Sequence, residues 1–392
     1  MSLHHDSPHM RHFMKHKEMN ELYLSYGILN FAIGLISIFI PIYLYKLDYS
    51  IPAILFFFFL NSIGFVLFSY WGAQIVARLG VKHTMLLTIP IFIIFFIGLK
   101  FIPQFPFLFF ILPLLRSFKM ILYNYSFHLN FIQHSDRKHR GREVSIIQAL
   151  EVTAGILSPL IGGAIIKYSS FSVLFFVGSV ILFFSMIPLF RTQDTYEAIT
   201  FEKKRLIRDV FKKENLNYMY SFSGYAIESW IGMILWPIFL FVMLFNVESI
   251  GALTSVTTLV TFVMFYFIGK ATDKKDKREL LRLGVLLYFF GWIGRIFVTG
   301  FTSMFFIDTY KNLTQRVVAV PWTAYSYDLA AKGDYFKFIV QREIVFNISR
   351  SLMMPILMLI FFLAGNTYAF IISFTIAAFF SLFYVALNKE TA

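Results

Sequence analysis

The chain has no cysteine and little charge, with 15% of its 392 residues charged. Missing thiols exclude disulfides, thiolate metal sites, iron–sulfur clusters and cysteine nucleophiles, and they leave the redox compartment unreadable. Acidic residues are scarce, 22 against 35 Lys and Arg. No acidic or Cys cluster stands at ligand spacing beside the His-rich N-terminus (His4, His5, His9, His12, His16), so no metal and no cofactor are expected. No nucleophile is paired with a base, which argues against an enzyme. What is present is 58% hydrophobic and 20% aromatic, including 51 Phe. A soluble domain is about 45–50% apolar and about 25% charged. Too few polar residues remain here to cover a surface facing water.

Apolar runs recur along the whole length, at about 23–46, 51–77, 84–103, 105–131, 143–167, 170–190, 219–244, 249–269, 280–300, 302–329, 341–364 and 367–387. Each is long enough, as a helix, to cross a hydrocarbon layer about 30 Å thick. Helices are required there, because lipid offers no partner to an unpaired backbone group. The expected fold is therefore an all-α membrane protein of twelve transmembrane helices. The first run lacks a cleavage site with small residues and is read as a retained span. Residues 1–22 form a disordered His-rich tail, 23–190 a first six-helix bundle, 191–218 a linker, 219–387 a second bundle and 388–392 a short tail. Within the linker Phe201, Leu206, Ile207, Val210 and Phe211 lie on one helical face opposite basic residues, as in an amphipathic helix at a membrane surface.

The net charge of +13 has a positional explanation. Of the Lys and Arg, 26 fall on the side holding both termini, 3 opposite (Lys46, Lys100, Lys167) and 6 inside spans. This bias places both termini in the cytoplasm, for a protein integral to the cell (inner) membrane. The basic loops face anionic membrane lipids and no nucleic acid partner is expected.

The two halves read as copies. Pro41-Ile42-Tyr43-Leu44-Tyr45 matches Pro237-Ile238-Phe239-Leu240-Phe241, and two hundred residues separate Arg116 from Arg316, Tyr125-Ser126 from Tyr325-Ser326, and Arg142-Glu143 from Arg342-Glu343. An even number of spans per half makes these parallel repeats about an axis along the membrane normal, which enclose a site between them near the bilayer midplane.

The segment Gly269-Lys270-Ala271-Thr272-Asp273-Lys274-Lys275-Asp276-Lys277-Arg278 resembles the cytoplasmic loop signature of the major facilitator superfamily, with Asp276 at its second glycine. The equivalent after the second span keeps Arg78, Gly80 and Lys82 but has Ala77 where the family places an acid. The fifth span resembles the family's antiporter motif, with Ala154 and Ser158 at two of its glycines. There Gly155, Ser158 and Gly162 share a face, joined by Pro159 and Gly163, and small residues of this kind allow close helix packing. The resemblance implies the major facilitator fold and solute transport by alternating access. Arg78, Gly80, Lys82, Gly269, Asp273, Lys274 and Arg278 would then act as a gate latch. Glu143 and Glu343, at the starts of spans five and eleven, are its expected acceptors.

Charges inside spans carry the function, since each costs about 2.5 kcal/mol or more at midplane unless it meets a cavity or a partner. Arg116, Lys119 and Tyr123 form a stripe with Ser126 and Asn130, and Arg116 resembles an arginine frequent in the family's fourth span. Glu151 is placed to pair with Arg116 or Lys119. Asp308 and Lys311 lie one turn apart and are expected to neutralise each other, beside Arg316. Arg295 and Arg350 are expected to snorkel, and His128 is read as a lone satisfied group. Glu151 and Glu228 are the candidate proton carriers, and Arg116 and Arg316 the candidate groups for an anionic or polar substrate. Aromatic walls suit an amphipathic organic solute better than a free ion. The reading is a monomeric, proton-coupled transporter of a small-molecule substrate, with export ahead of uptake of a sugar or metabolite. A receptor or scaffold that keeps the fold without transport stays open.

Overall fold

In the computed structural model residues 8–134, 140–190, 208–209, 212, 215–272, 277–330 and 334–388 are described. Helix follows helix, with no strand among the described residues. The order is α1 (Pro8–Ser37), α2 (Phe39–Lys46), α3 (Ile51–Leu79), α4 (Val81–Lys100), α5 (Leu108–His134), α6 (Arg140–Tyr168), α7 (Phe171–Phe184) and α8 (Met186–Leu189). The second half holds α9 (Leu216–Leu244), α10 (Val247–Thr272), α11 (Lys277–Gly294), a 3₁₀ turn (Arg295–Phe297), α12 (Phe301–Ala330), α13 (Tyr335–Ser381) and a closing 3₁₀ turn (Leu382–Asn388). Among the described residues eight helices are long and apolar enough to cross a membrane. The other long helices, α5, α11 and α12, are the ones enriched in charged and amide side chains.

The connections are short because the local chemistry stops each helix abruptly. Ser50, Ser170 and Asp334 cap α3, α7 and α13 by accepting the backbone N–H of Ala53, Val173 and Lys337. Gly80, at φ 81°, separates α3 from α4 with no further loop residue, a conformation that a side chain disfavours. Gly365, at φ 68°, breaks α13 in the same way, so the last two expected spans follow each other through a single residue. The N-terminal tail corrects an expectation: helix begins at Pro8 and runs into the first span. Pro8 suits a first helical position, and the following Met, Lys, Glu and Leu are good helix formers with no glycine before Gly27. The amphipathic linker helix falls largely outside the described residues. Arg208 and Asp209 are helical, and Asp209 accepts Lys337 of α13 at 2.6 Å and pairs with Lys212 at 3.1 Å.

Small residues set the packing. In lipid no hydrophobic force drives helices together, so close van der Waals fit must do so. A Cβ on Gly162 would run into the Leu35 carbonyl of α1, and Ser158 sits against Gly34. On the other side of α6, Gly163 meets the Val247–Gly251 turn of α10, a Cβ on Gly251 would strike the Pro159 carbonyl, and Gly155 faces Thr258. One helix thereby binds the first half internally and docks it on the second. A second contact between halves runs along α3 and α13.

Two faces bound the bundle: a basic face, where α3 ends and α4 begins, and the opposite face, where α2 ends and α3 begins. On the opposite face Lys167 pairs with Glu248 at 2.6 Å and Tyr45 meets Phe241 edge-on. On the basic face His128 of α5 is held between Tyr327 and Arg342, at 3.2 and 2.9 Å, and Asn124 donates to Glu343 at 3.1 Å. His128 is thus a bridge between halves and not a lone group. Between these two sets of contacts lies a cavity.

Candidate functional site

Three helices of the second half and two residues of the first form a cavity of about 300 Å³. From α9 come Glu228, Ser229, Gly232 and Trp236, from α10 Thr254, Thr258 and Thr261, and from α12 Asp308, Lys311, Asn312, Gln315 and Arg316. Their spacings of three, four and seven place each set on one helical face. Ile38 and Val152 complete the wall from the first half, and Arg295 closes it from the turn after α11.

Each of the two cavity carboxylates accepts three donors from the protein itself. Glu228 accepts the hydroxyls of Tyr288 and Tyr384, the latter at 2.8 Å, and the indole N–H of Trp292 at 3.0 Å. Asp308 pairs with Arg295 on one oxygen and accepts Thr257 and Asn312 on the other, at 3.3 and 3.2 Å. The expected Asp308–Lys311 neutralisation is therefore corrected. Side chains one turn apart compete with a guanidinium arriving from a neighbouring element, and Arg295 reaches the carboxylate with the charge-assisted geometry that a fork allows. Arg295 does not snorkel either: it is 2% exposed and stacks over Trp236 at 3.8 Å. Lys311 instead donates to Gln315 at 3.1 Å and lies over the rings of Tyr288 and Trp292. Gly291 allows the Lys311 backbone to come this close to α11.

The fourth-span stripe is placed elsewhere. Arg116 donates to Asn61 at 3.0 Å and faces Phe58 and Trp230, while buried Arg350 stacks on Trp230 at 4.1 Å. Trp230 of the second half thus bridges arginines from both halves, and Arg350 is no snorkelling group. Lys119 is buried over Phe92 at 3.9 Å and Tyr123 at 4.6 Å. None of Arg116, Lys119 and Tyr123 lines the cavity. Glu151 pairs with neither Arg116 nor Lys119. It is solvent-accessible, accepts the Tyr26 hydroxyl, and interacts electrostatically with Arg316.

The expected latch residues are only partly described. Arg78 is exposed at the end of α3, and Lys82 donates to the Phe190 carbonyl at 3.2 Å. Glu143 is half-buried in the first turn of α6. Buried Glu343 is held by Arg342 at 3.0 Å and by Asn124. Gly269 and Arg278 belong to α10 and α11, the Arg278 side chain lies outside the described atoms, and Asp273 and Lys274 lie outside the described residues. Sequence reasoning missed Tyr288, Trp292 and Tyr384, the donors to Glu228. Tyr288 and Trp292, four apart in an apolar helix and each with a polar tip, were the available signal.

The sequence profile described as Major Facilitator Superfamily matches residues 22–310. No curated protein sequence matches. Among solved structures the chain is similar to a D-xylose–proton symporter, at 11% identity and a TM-score of 0.71, covering 94% of this chain and 96% of that one. It is also similar to a POT family transporter in complex with 5-aminolevulinic acid, at 12% identity and 0.70, covering 93% and 94%. A POT family transporter in complex with a thioalcohol-conjugated peptide is similar at 13% and 0.73, with coverage of 93% and 94%. At these identities the likeness establishes the fold, and the profile establishes the family. The chain belongs to the Major Facilitator Superfamily, as an integral membrane transporter and not an enzyme.

Proposed function

We propose that this chain is a proton-coupled secondary active transporter, acting as a monomer, that exports a small organic solute by alternating access. Supporting this is the cavity of about 300 Å³ flanked by contacts between halves on both faces. Its volume falls at the lower end of the range for small-molecule sites, about 300–1,000 Å³. Twelve spans, counted by dividing α13 at Gly365, put both termini on the basic face, and the positive-inside rule makes that face cytoplasmic in the cell membrane. Export as the direction draws on the antiporter-like run of α6, whose glycines form the dock with α10.

Of the two candidate proton carriers, Glu151 fits the role. A carrier must exchange with water and feel a cation that changes with conformation. Glu228 is 1% exposed and holds three donors, so it offers a proton no route. Glu151 has exposed surface, lies in the first half and interacts electrostatically with Arg316 of the second, so rocking of the halves changes its electrostatic environment. Asn124, His128, Arg342 and Glu343 form the gate on the basic face. Reconstituted protein under an imposed pH gradient is expected to move solute, and Glu151→Gln to retain exchange while losing the response to the gradient. Absence of flux for every solute tried, with folded protein, contradicts transport. Unaltered gradient dependence in Glu151→Gln removes the carrier assignment.

A further inference from the structure

We infer that the cavity binds a small organic anion, one bearing a carboxylate or a phosphate, with Lys311 and Arg316 as its ligands. This deepens the transport reading of the same cavity and rests on it. Three cations, Arg295, Lys311 and Arg316, face two carboxylates, Glu228 and Asp308, in the lining, a net charge of +1.

Satisfaction of hydrogen bonds is more telling than the count. Both acids are engaged from within: Glu228 by three donors, and Asp308 on both oxygens. Each has three of about four lone-pair sites taken by protein donors, which leaves little capacity to hold a substrate ammonium. The cations are the reverse. Lys311 is 7% exposed and carries three N–H bonds, yet among the described residues it has a single acceptor, the Gln315 amide. Arg316 has five N–H donors and no hydrogen-bond acceptor among the described residues, and Glu151 offsets part of its charge from a distance. Arg295, although paired with Asp308, leaves Nε and Nη1 without acceptors.

Open donors on buried Lys311 and Arg295 and on half-buried Arg316, in a wall whose acids are mostly engaged, favour a ligand that brings acceptor oxygens. A neutral sugar supplies weak acceptors and brings several donors for which the acids have little remaining capacity. A carboxylate or phosphate supplies two or more charged oxygens, which guanidinium and ammonium groups bind best. The apolar remainder of the molecule has Trp236 beside it.

The test is binding without a gradient, by thermal shift and tryptophan fluorescence on the purified full chain. The probes are succinate and glycerol 3-phosphate, with succinamide and glycerol as their neutral counterparts and choline as a cation. Saturable binding of either acid, and none of its neutral counterpart, is expected; which acid binds separates carboxylate from phosphate. Lys311→Gln and Arg316→Gln are each expected to weaken binding about tenfold or more, while Lys311→Arg retains it. Equal binding of the neutral counterparts, binding of choline, or no response to either acid overturns the proposal. Melting of the unliganded variants reports folding, and Lys311→Arg provides the folded reference should Lys311→Gln melt early. Flux of a neutral solute without anion binding would sink this inference alone, and anion binding without any flux would sink the transport reading alone.

Discussion

Arg116 and Arg316 stand two hundred residues apart in matching frames, yet they serve different surroundings. Arg116 is bonded to Asn61 and enclosed by Phe58 and Trp230. Arg316 borders an open cavity and meets Glu151 from across the interface between halves. Their matching sequence frames are those of the expected repeat. What its neighbours supply decides whether each cation is structural glue or an open ligand, and the two halves differ at that level. The cavity is accordingly built mainly by the second half, while the first contributes Ile38, Val152 and the nearby Glu151.

The largest effect should come from the pair that locks the cavity wall. Arg295→Met leaves Asp308 charged and buried, and loss of one partner of such a pair costs about 3–5 kcal/mol. A pronounced drop in detergent melting temperature is expected, largely recovered in Arg295→Met/Asp308→Leu; no drop would mean that Asp308 finds another partner. Next comes the arginine comparison itself. Arg116→Gln should cost about 1–2 kcal/mol of stability through its lost bond and ring contacts, with solute affinity little changed. Arg316→Gln should do the opposite, reducing flux at least tenfold with melting close to wild type. Equal stability losses in the two would erase the distinction.

Smaller effects are expected at the exposed ends. The Lys167–Glu248 pair is solvated, so Lys167→Ala should lower the melting temperature only slightly, and that difference should vanish in high salt. Asp209 gives an acid-side signature: hydrogen bonds from Lys337 and Lys212 hold its carboxyl down to about 2. A lowered value contributes stability above the ordinary carboxylate range and loses it as pH falls toward 2. Wild type and Asp209→Asn should therefore differ at neutral pH and converge in acid, as read by melting across pH.

Much of the fold was legible because lipid imposes one rule on every backbone group, and apolar runs with short polar breaks state it openly. The close approach of α6 to its neighbours was also readable, from Gly155, Ser158 and Gly162 on one face. Partners were less so. Glu151, Arg116 and Lys119 lie on adjacent spans, and only the helix rotations reveal that Glu151 turns to Tyr26 and Arg316 while Arg116 turns to Asn61. Asp308 illustrates the same limit: its nearest charge in sequence is Lys311, but the turn after α11 brings Arg295 instead. His128 gained its role from α12 and α13, which no local pattern announces.

Alternating access between the two faces is the central claim, and the absence of native cysteine makes it directly measurable. Spin labels on introduced cysteines at exposed Arg78 and Glu279 report the basic face, and at Phe107 and Phe297 the opposite face. Double electron–electron resonance in nanodiscs across pH should show the two distances changing in opposite senses, one face widening as the other narrows. Distances that stay fixed on both faces, or widen together, would contradict the account.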